Sequence, residues 1–589
     1  MVLADPEKSL SGCFWKAVPY DERQAQMIAQ KWNIPVLLAD IITSKGITAE
    51  DVPAFLEPKI QTLMPNPSVM KDVDKASSLI AQAIINKQKI GIIGDYDVDG
   101  ATSSSVLRLF LESVGISPEV HIPDREEGYG PSIQAFDDFK KQGINFVVTT
   151  DCGTAAFDVL KYAKEHGFCV IVLDHHEAEV KLPAVDAVVN PKRLDEDNTY
   201  PYLKYMAAVG VVFLVVVAVN RELRKSGFYQ NHPEPQLLQW LDLVALGTIC
   251  DVVPLIGLNR AFVRQGLKIM AQRQNVGLKA LIDKAGLTEA PTAYHLGYIL
   301  GPRINAGGRV GDPSLGNKLL CCHNEKEAET IAAQLNEFNN QRKDIENYVL
   351  IEAITQLEGK TSDYPIAFVA GKNWHQGVIG IVAGKLKERY NLPAFVMSVE
   401  DDEVKGSARS IPQVDLGSLI IAAKEKGIIT KGGGHTMAAG YSLEEDKVED
   451  FRHFVGEYVQ KQIGNETIVP IIEYEAIIDL RGATSDLAES LKMLEPYGAG
   501  NQEPKLVIKN VRFKKSTIVG SGHVRCFLSS DNGGSLKAMA FRAADNDLGQ
   551  AMLMRHNDVF DVLGTLRTDN WLGRNSVQFI IEDAKRVTQ

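Results

Sequence analysis

At 589 residues the chain is too long for a single core, and about three or four domains are expected. Its 45% apolar and 23% charged residues are ordinary for a soluble protein, while a net charge of −12 argues against holding nucleic acid by a bulk positive field. A local basic channel is still compatible with that charge.

Seven cysteines without metal-type spacing suggest reduced thiols in a cytoplasmic compartment. Residues 1–11 carry charges, so no signal peptide is read there, and the apolar run 206–219 is too short to span a bilayer. Residues 1–75 read as a helical lead-in, with helical spacing over 23–32 and 48–55 and a proline-rich break at 58–67. No chemistry is legible in that part.

From residue 76 helix and strand alternate. Helices are expected at 76–86, 101–114, 135–142 and 155–166, and strands at 89–94, 119–122, 145–150, 169–173 and 188–189. Such alternation implies a mostly parallel, helix-covered sheet, whose ligands bind beyond the carboxyl ends of the strands. Asp95, Asp97, Asp99, Asp151, Asp174, His175 and His176 all follow an expected strand end. Three carboxylates at alternate positions raise one another's pKa, and a divalent metal relieves them. An EF-hand also begins Asp-x-Asp-x-Asp-Gly, but its twelfth position would be Val106 rather than Glu, and a strand precedes it here.

Two buried helices are expected at 206–220 and 236–246, the second running into Asp251 within an apolar stretch. A lone Asp there is costly unless paired or metal-bound. The glycine-rich stretch with Arg303 and Arg309 suits wrapping of phosphate oxygens, or is a surface loop with capping arginines. Residues 324–357 lack Pro and Gly and line up Ile331, Leu335, Phe338, Ile345, Val349 and Leu357, with Arg342 interrupting. That predicts one helix of roughly 50 Å, long enough to connect two domains.

Strands at 366–370, 393–398 and 404–408 and a helix ending near Glu388 restart an α/β pattern. Residues 431–440 read as a small-residue turn around His435, whose glycines would let backbone N–H groups approach a phosphate. Beyond residue 470, expected strands at 505–513, 523–529, 535–541, 559–568 and 576–581 fit a small barrel of the OB kind. Lys505, Lys509, Arg512, Lys514, Lys515, Arg525, Phe527, Arg567 and Trp571 are the residue types that bind single strands, although a structural barrel with solvated lysines reads as well.

Asp95, Asp97, Asp99, Asp151, His175, His176 and Asp251 together favour Mn²⁺ or Mg²⁺ over thiolate-bound zinc. They are numerous enough for two ions sharing a carboxylate, the device of phosphoryl chemistry. Cys152 and Cys250, beside them, read as packing residues.

The motifs Gly94-Asp-Tyr-Asp-Val-Asp-Gly100, Asp151-Cys-Gly153, Asp174-His-His176, Asp251-Val-Val-Pro254, Gly406-Ser-Ala-Arg409-Ser and Gly433-Gly-His435 closely resemble the DHH phosphoesterase superfamily. By layout the chain is similar to that superfamily's single-stranded-DNA exonucleases. The resemblance implies a catalytic domain at 76–323, a connector helix at 324–360, an associated substrate-binding domain at 361–465 and an OB-like domain at 466–589. It implies 5′→3′ hydrolysis of single-stranded DNA to 5′-mononucleotides with two Mn²⁺ or Mg²⁺ ions, in DNA repair and recombination. Asp97 and Asp99 would hold one ion each with Asp151 between them. His175 and Asp251 would complete one shell, Asp95 would support the other, and His176 would touch the scissile phosphate or orient the water, with Asp151, His176 and Arg303 as the catalytic residues. Arg303, Arg309, Ser407, Arg409, Gly434 and His435 fall where phosphates are gripped. A single-stranded-DNA-binding protein and a helicase are the candidate protein partners of an expected monomer, with no membrane. Two alternatives stay open: a small-substrate member of the superfamily, which would not need residues 470–589, and a binding protein without turnover.

Overall fold

The computed structural model describes residues 8–124, 127–358, 363–400, 402–464, 469–554, 558–569 and 576–587. Trp571 and the expected boundaries at 360/361 and 465/466 lie outside the described residues.

The lead-in is not only helical. A strand, β1 (Phe14–Ala17), precedes helices Glu22–Trp32, Val36–Ser44 and Val52–Leu56. Asp21 caps the first of these by accepting from the N–H groups of Arg23 and Gln24. The helix expected at 48–55 starts later because Pro53 lies in its first turn, where a missing N–H is harmless.

Five parallel strands follow: β2 (Ile90–Ile93), β3 (Glu119–His121), β4 (Phe146–Thr150), β5 (Cys169–Leu173) and β6 (Ala187–Val189), in the order β3-β2-β4-β5-β6. Alternate residues serve opposite layers. Ile90, Ile92, Val148, Ile171 and Leu173 share a core with helices Val73–Ile85, Val98–Ser113 and Ala208–Lys225. Ile93, Val147, Val170 and Val172 pack with helices Ile133–Lys141 and Phe157–Glu165. The chain leaves β2 to one side and returns as β4 on the other, which opens a crevice between their carboxyl ends.

Helix Ala208–Lys225 is buried along most of its length, yet no described helix is long and apolar enough to cross a membrane. The connector, Glu325–Glu358, has 34 residues and spans about 51 Å. Ala328, Ile331, Ala332 and Leu335 belong to the core beneath the first sheet, whereas Val349 and Ala353 pack with Trp374, Val378 and Val382 of the next domain. Arg342, the interruption in its apolar face, pairs with buried Glu346 at 2.8 Å, and Lys385 meets the same carboxylate.

The second sheet runs β10-β11-β9-β8-β7, from β7 (Ala367–Lys372), β8 (Ala394–Glu400), β9 (Glu403–Arg409), β10 (Lys431–His435) and β11 (Ala438–Glu444). Two short strands, β12 (Ile471–Tyr474) and β13 (Ala476–Ile478), lead to β14 (Leu506–Val519), β15 (His523–Ser529), β16 (Ser535–Ala540), β17 (Phe560–Asp569) and β18 (Ser576–Arg586). The last five close in the order β14-β15-β16-β18-β17 and back to β14, a five-stranded barrel with β13 alongside.

The amino-terminal helices belong to this barrel's core: Ile28, Ile41 and Val52 cluster with Leu506, Val524 and Phe579. β1 pairs in parallel with β12, and the Trp15 indole donates to Asp583 at 2.9 Å. Arg260, 2% exposed, ties these parts to the first domain. Its guanidinium donates to the carbonyls of Phe55 (2.9 Å), Leu494 (2.8 Å), Glu495 (2.9 Å) and Pro496 (3.2 Å), and lies over the Phe55 ring at 4.1 Å.

Candidate metal centre and strand cleft

Asp95, Asp97 and Asp99 do not share one loop. Helix Val98–Ser113 begins at Val98, three residues before the expected start, because the Asp97 side chain caps it by accepting from the Gly100 N–H at 2.9 Å. Asp99 therefore lies in the first turn. Its carboxylate accepts from the N–H groups of Ala208 (2.6 Å) and Val209 (3.0 Å), at the positive end of the buried helix Ala208–Lys225. Helix Leu241–Cys250 crosses close by, which Gly247 permits. A Cβ there would stand 2.8 Å from the Val209 side chain and 3.0 Å from Asp99 Oδ1. The crossing delivers Asp251, the C-cap of that helix, to the same crevice.

Two backbone positions beside the centre are strained. Asp151 has φ +63° and Val252, directly after Asp251, has φ +58°, a conformation rare for a β-branched residue. Val252 is 69% exposed, so burial of its side chain does not hold it there. Such strain concentrates at functional sites.

The predicted residues converge in overlapping groups. Ligand atoms of Asp95, Asp97 and Asp151 lie within 4.8 Å of one another, as do those of Asp99, His175 and Asp251, and those of Asp151, His175 and His176. His175 Nε2 is 3.3 Å from Asp151 Oδ1 and 3.8 Å from Asp99 Oδ2, while Nδ1 is 3.6 Å from Asp251 Oδ2. Nδ1 also lies 3.1 Å from the Met206 carbonyl. A carbonyl only accepts, so Nδ1 carries the proton and Nε2 turns its lone pair to the carboxylates.

Burial, then the neighbouring His176, pushes His175 down to about 3, which keeps the ring neutral. Burial, then Asp97, raises Asp99 to about 7. Burial, then Asp99 and Asp97, raises Asp251 to about 9, and burial followed by Asp99 lifts Asp151 well above the usual carboxylate range. Asp151 Oδ1 and Asp251 Oδ2 are buried without a hydrogen-bond partner. Crowded, desolvated carboxylates with a neutral imidazole and orphaned oxygens fit hard divalent cations such as Mn²⁺ or Mg²⁺. Burial raises the Cys152 and Cys250 thiols, which stay protonated and serve as packing.

Asp174 anchors the loop rather than joining these groups. It accepts from the N–H groups of Thr154 (2.9 Å), His175 (2.7 Å) and His176 (3.2 Å), and from His176 Nδ1 at 2.7 Å. Burial alone would raise its carboxyl, but these donors outweigh it and hold it well below the usual range. For His176, burial is likewise outweighed by Asp174, so its pKa is raised. Sequence reasoning missed Tyr129, whose hydroxyl donates to the Asp151 carbonyl at 2.7 Å and lies 3.1 Å from His176 Nδ1. The signal was Gly128-Tyr-Gly130 following the end of β3, two positive-φ glycines that swing one aromatic back over the strand ends.

Two glycine-rich stretches differ from expectation. The one holding Arg303 and Arg309 is not a loop but a helix, Gly301–Val310, and its small residues allow close packing. Arg303 donates to Asn336 Oδ1 (3.0 Å) and to the Ile299 carbonyl (2.6 Å), tying this helix to the connector. Arg309 donates to the Gly377 carbonyl of the next domain at 2.8 Å. The expected turn at 431–440 is a hairpin of β10 and β11. Gly434 faces Ala439, where a Cβ would sit 2.6 Å from that residue's Cα, so close strand pairing accounts for the glycine. Gly434 and His435 lie on the edge strand.

Arg309, Gly377, Lys405, Ser407, Arg409 and Lys431 line one cleft of about 570 Å³ between that helix and the second sheet. Arg409 donates to Ser407 Oγ at 3.1 Å, and burial lowers its pKa. On the barrel, Lys505 pairs with Glu582 at 2.6 Å, Arg512 with Asp531 and Arg567 with Glu503. Lys514, Phe527 and Lys537 stand in one row across three neighbouring strands, on the outer face. Lys509, Lys515 and Arg525 are exposed on the same strands.

Residues 89–248 match the DHH family, N-terminal domain; residues 363–461 match the DHHA1 domain; and residues 474–583 match the RecJ OB domain. The Single-stranded-DNA-specific exonuclease RecJ of Bacillus subtilis (strain 168) is 33% identical over 578 residues, covering 97% of this chain and 70% of that protein. Its counterpart in Escherichia coli (strain K12) is 33% identical, covering 94% and 96%. The crystal structure of RecJ in complex with Mn²⁺ from Thermus thermophilus superposes with a TM-score of 0.80 at 25% identity, covering 98% of this chain and 79% of that one.

Proposed function

This chain belongs to the RecJ family of single-stranded-DNA-specific exonucleases, and from that premise we propose that its acidic centre removes 5′-mononucleotides from single-stranded DNA in the 5′→3′ direction. It is a metal-dependent exonuclease. The observation that carries the finer reading is the meeting of ligand groups at Asp151 and His175.

Asp95, Asp97 and Asp151 would hold one divalent ion, and Asp99, His175 and Asp251 the other, with Asp151 shared. Such a pair of ions polarises a phosphate, generates a nucleophile from water at neutral pH and stabilises the leaving oxygen. The chain's own residues do the positioning. Met206 keeps the proton on His175 Nδ1, so that Nε2 acts as a donor atom. His176, with its pKa raised by Asp174, faces the scissile phosphate from the mouth of the site. Arg309, Ser407 and Arg409 grip backbone phosphates in the cleft, Arg303 reaches a phosphate from beside the connector, Gly434 and His435 extend that grip along the edge strand, and the Lys514–Phe527–Lys537 row takes the emerging strand. We assign the protein to DNA repair and recombination in the cytoplasm, as a monomer that works beside a single-stranded-DNA-binding protein and a helicase.

The decisive experiment digests 5′- and 3′-end-labelled single-stranded DNA, duplex DNA and RNA with Mn²⁺. Mononucleotides should appear first from the 5′ label of single-stranded DNA. Intact single strands under conditions where a known exonuclease cuts them would remove the reading, and release beginning at the 3′ label would reverse its polarity.

A further inference from the structure

Asn259 lies in the first turn of helix Gly257–Met270 and is 1% exposed. Its amide Nδ2 donates to two carbonyls from separate stretches of chain, Tyr205 at 2.7 Å and Pro254 at 3.0 Å. Each stretch carries part of the same ligand group. Tyr205 precedes Met206, whose carbonyl fixes the His175 tautomer, and the N–H groups of Ala208 and Val209, two and three residues further on, hold Asp99. Pro254 ends the turn that starts at Asp251 and passes through the strained Val252. One side chain thus spans the backbone supports of Asp99, His175 and Asp251.

The residue is a poor choice for stability alone. Its Oδ1 is buried with no hydrogen-bond partner, an omission that is costly in a protein interior. Two donors from one planar amide do, however, fix the distance between the two carbonyls, which a pair of independent contacts would not.

We infer that Asn259 is a positioning residue for the Asp99–His175–Asp251 metal site, setting the spacing between the Met206 and Asp251 segments. This rests on the metal-centre reading above. Outer-shell partners of this type typically change metal affinity about 10–100-fold when removed.

The test uses the full chain stripped of metal. Asn259→Asp is isosteric and deletes both N–H donors, while Asn259→Ser retains one donor. Mn²⁺ is titrated by calorimetry, and thermal unfolding is followed without metal. The expected result is Mn²⁺ affinity weakened about 10–100-fold in the Asp variant and less in the Ser variant. Metal-free unfolding should stay cooperative, and turnover should return as Mn²⁺ is raised. In an Asp251→Asn background the same change should cost little further affinity, since the two act through one site. Affinity within about twofold of the parent, or full additivity with Asp251→Asn, would overturn the inference. Failure of both variants to fold would overturn it too, since a general role in the fold would then suffice. A parent that binds no Mn²⁺ would instead strike down the metal-centre reading itself.

Discussion

Asp151 combines a left-handed backbone with a buried carboxylate oxygen that no hydrogen bond reaches, features that selection for stability alone would avoid. Linkage turns this crowding into a measurable slope. Asp99 and Asp251, with folded values of about 7 and about 9, retain protons that the unfolded chain releases above about pH 4. The native state thus binds more protons across that window, and the metal-free protein loses stability as pH rises through it. Its melting temperature should be several degrees lower at about pH 8.5 than at about pH 5.5, the slope should shrink in Asp251→Asn, and saturating Mn²⁺ should largely cancel it. A flat metal-free profile would count against the crowding. Asp151→Asn should abolish the thermal stabilisation by Mn²⁺ and lower turnover by more than the roughly 100-fold typical of an outer-shell loss; retained turnover would exclude Asp151 as the shared ligand. Asp95, Asp97, Asp99, Asp151 and His175 were legible in the sequence because each follows a strand end within a local motif, and Asp251 because it is a lone carboxylate in an apolar run after a helix. Tyr129 and Asn259 were not, since their partners lie 22 to 54 residues away or are backbone atoms that carry no residue-type signal.

Among elements, the connector shows how far periodicity reaches. Its length followed from the absence of Pro and Gly, and its apolar stripe from spacing, but the stripe serves two cores in succession. Arg342 looked like a flaw in that stripe. It is one side of an ion pair with Glu346, which sits between Arg342 and Lys385 at the seam of the two domains. Glu346→Ala would strand a largely buried guanidinium and should destabilise the protein by about 3–5 kcal/mol, read as a lower urea midpoint of the connector and second domain; a shift below about 1 kcal/mol would mean that water replaces the carboxylate. The glycine-rich stretches take a backbone form other than the expected loop and turn, for a definable reason. Glycine marks any close approach, and sequence alone does not say whether a phosphate or a neighbouring backbone is approaching. In Gly301–Val310 and at Gly434 it is the neighbouring protein.

For the whole molecule, the amino-terminal part proves to be an annex of the barrel, a relation that spacing and composition do not encode because the paired strands lie more than 450 residues apart. Removing residues 470–589 alone would expose Ile28, Ile41, Val52 and their neighbours, and that truncation should aggregate. Removing residues 1–58 as well should leave a soluble core that still binds Mn²⁺ but holds long single strands more weakly, checked by calorimetry and by fluorescence anisotropy of a labelled oligonucleotide. Equal strand affinity in that core would exclude the barrel from binding. The net charge of −12 is compatible with a basic path because cationic side chains cluster in the cleft and on one barrel face. Binding should therefore weaken as salt rises, with a slope of about −0.7 per phosphate contacted, and lysine-to-alanine changes at Lys514 and Lys537 should each flatten it.

The contact between Trp15 and Asp583 joins residues 568 positions apart. At about 5–20 residues per second, a ribosome needs roughly half a minute to two minutes to make that stretch. Throughout that interval β1 and the first helices are outside the ribosome without the surface that will cover them. This early-made segment is thus among the last to find its place, and it needs shielding while the later part is synthesised.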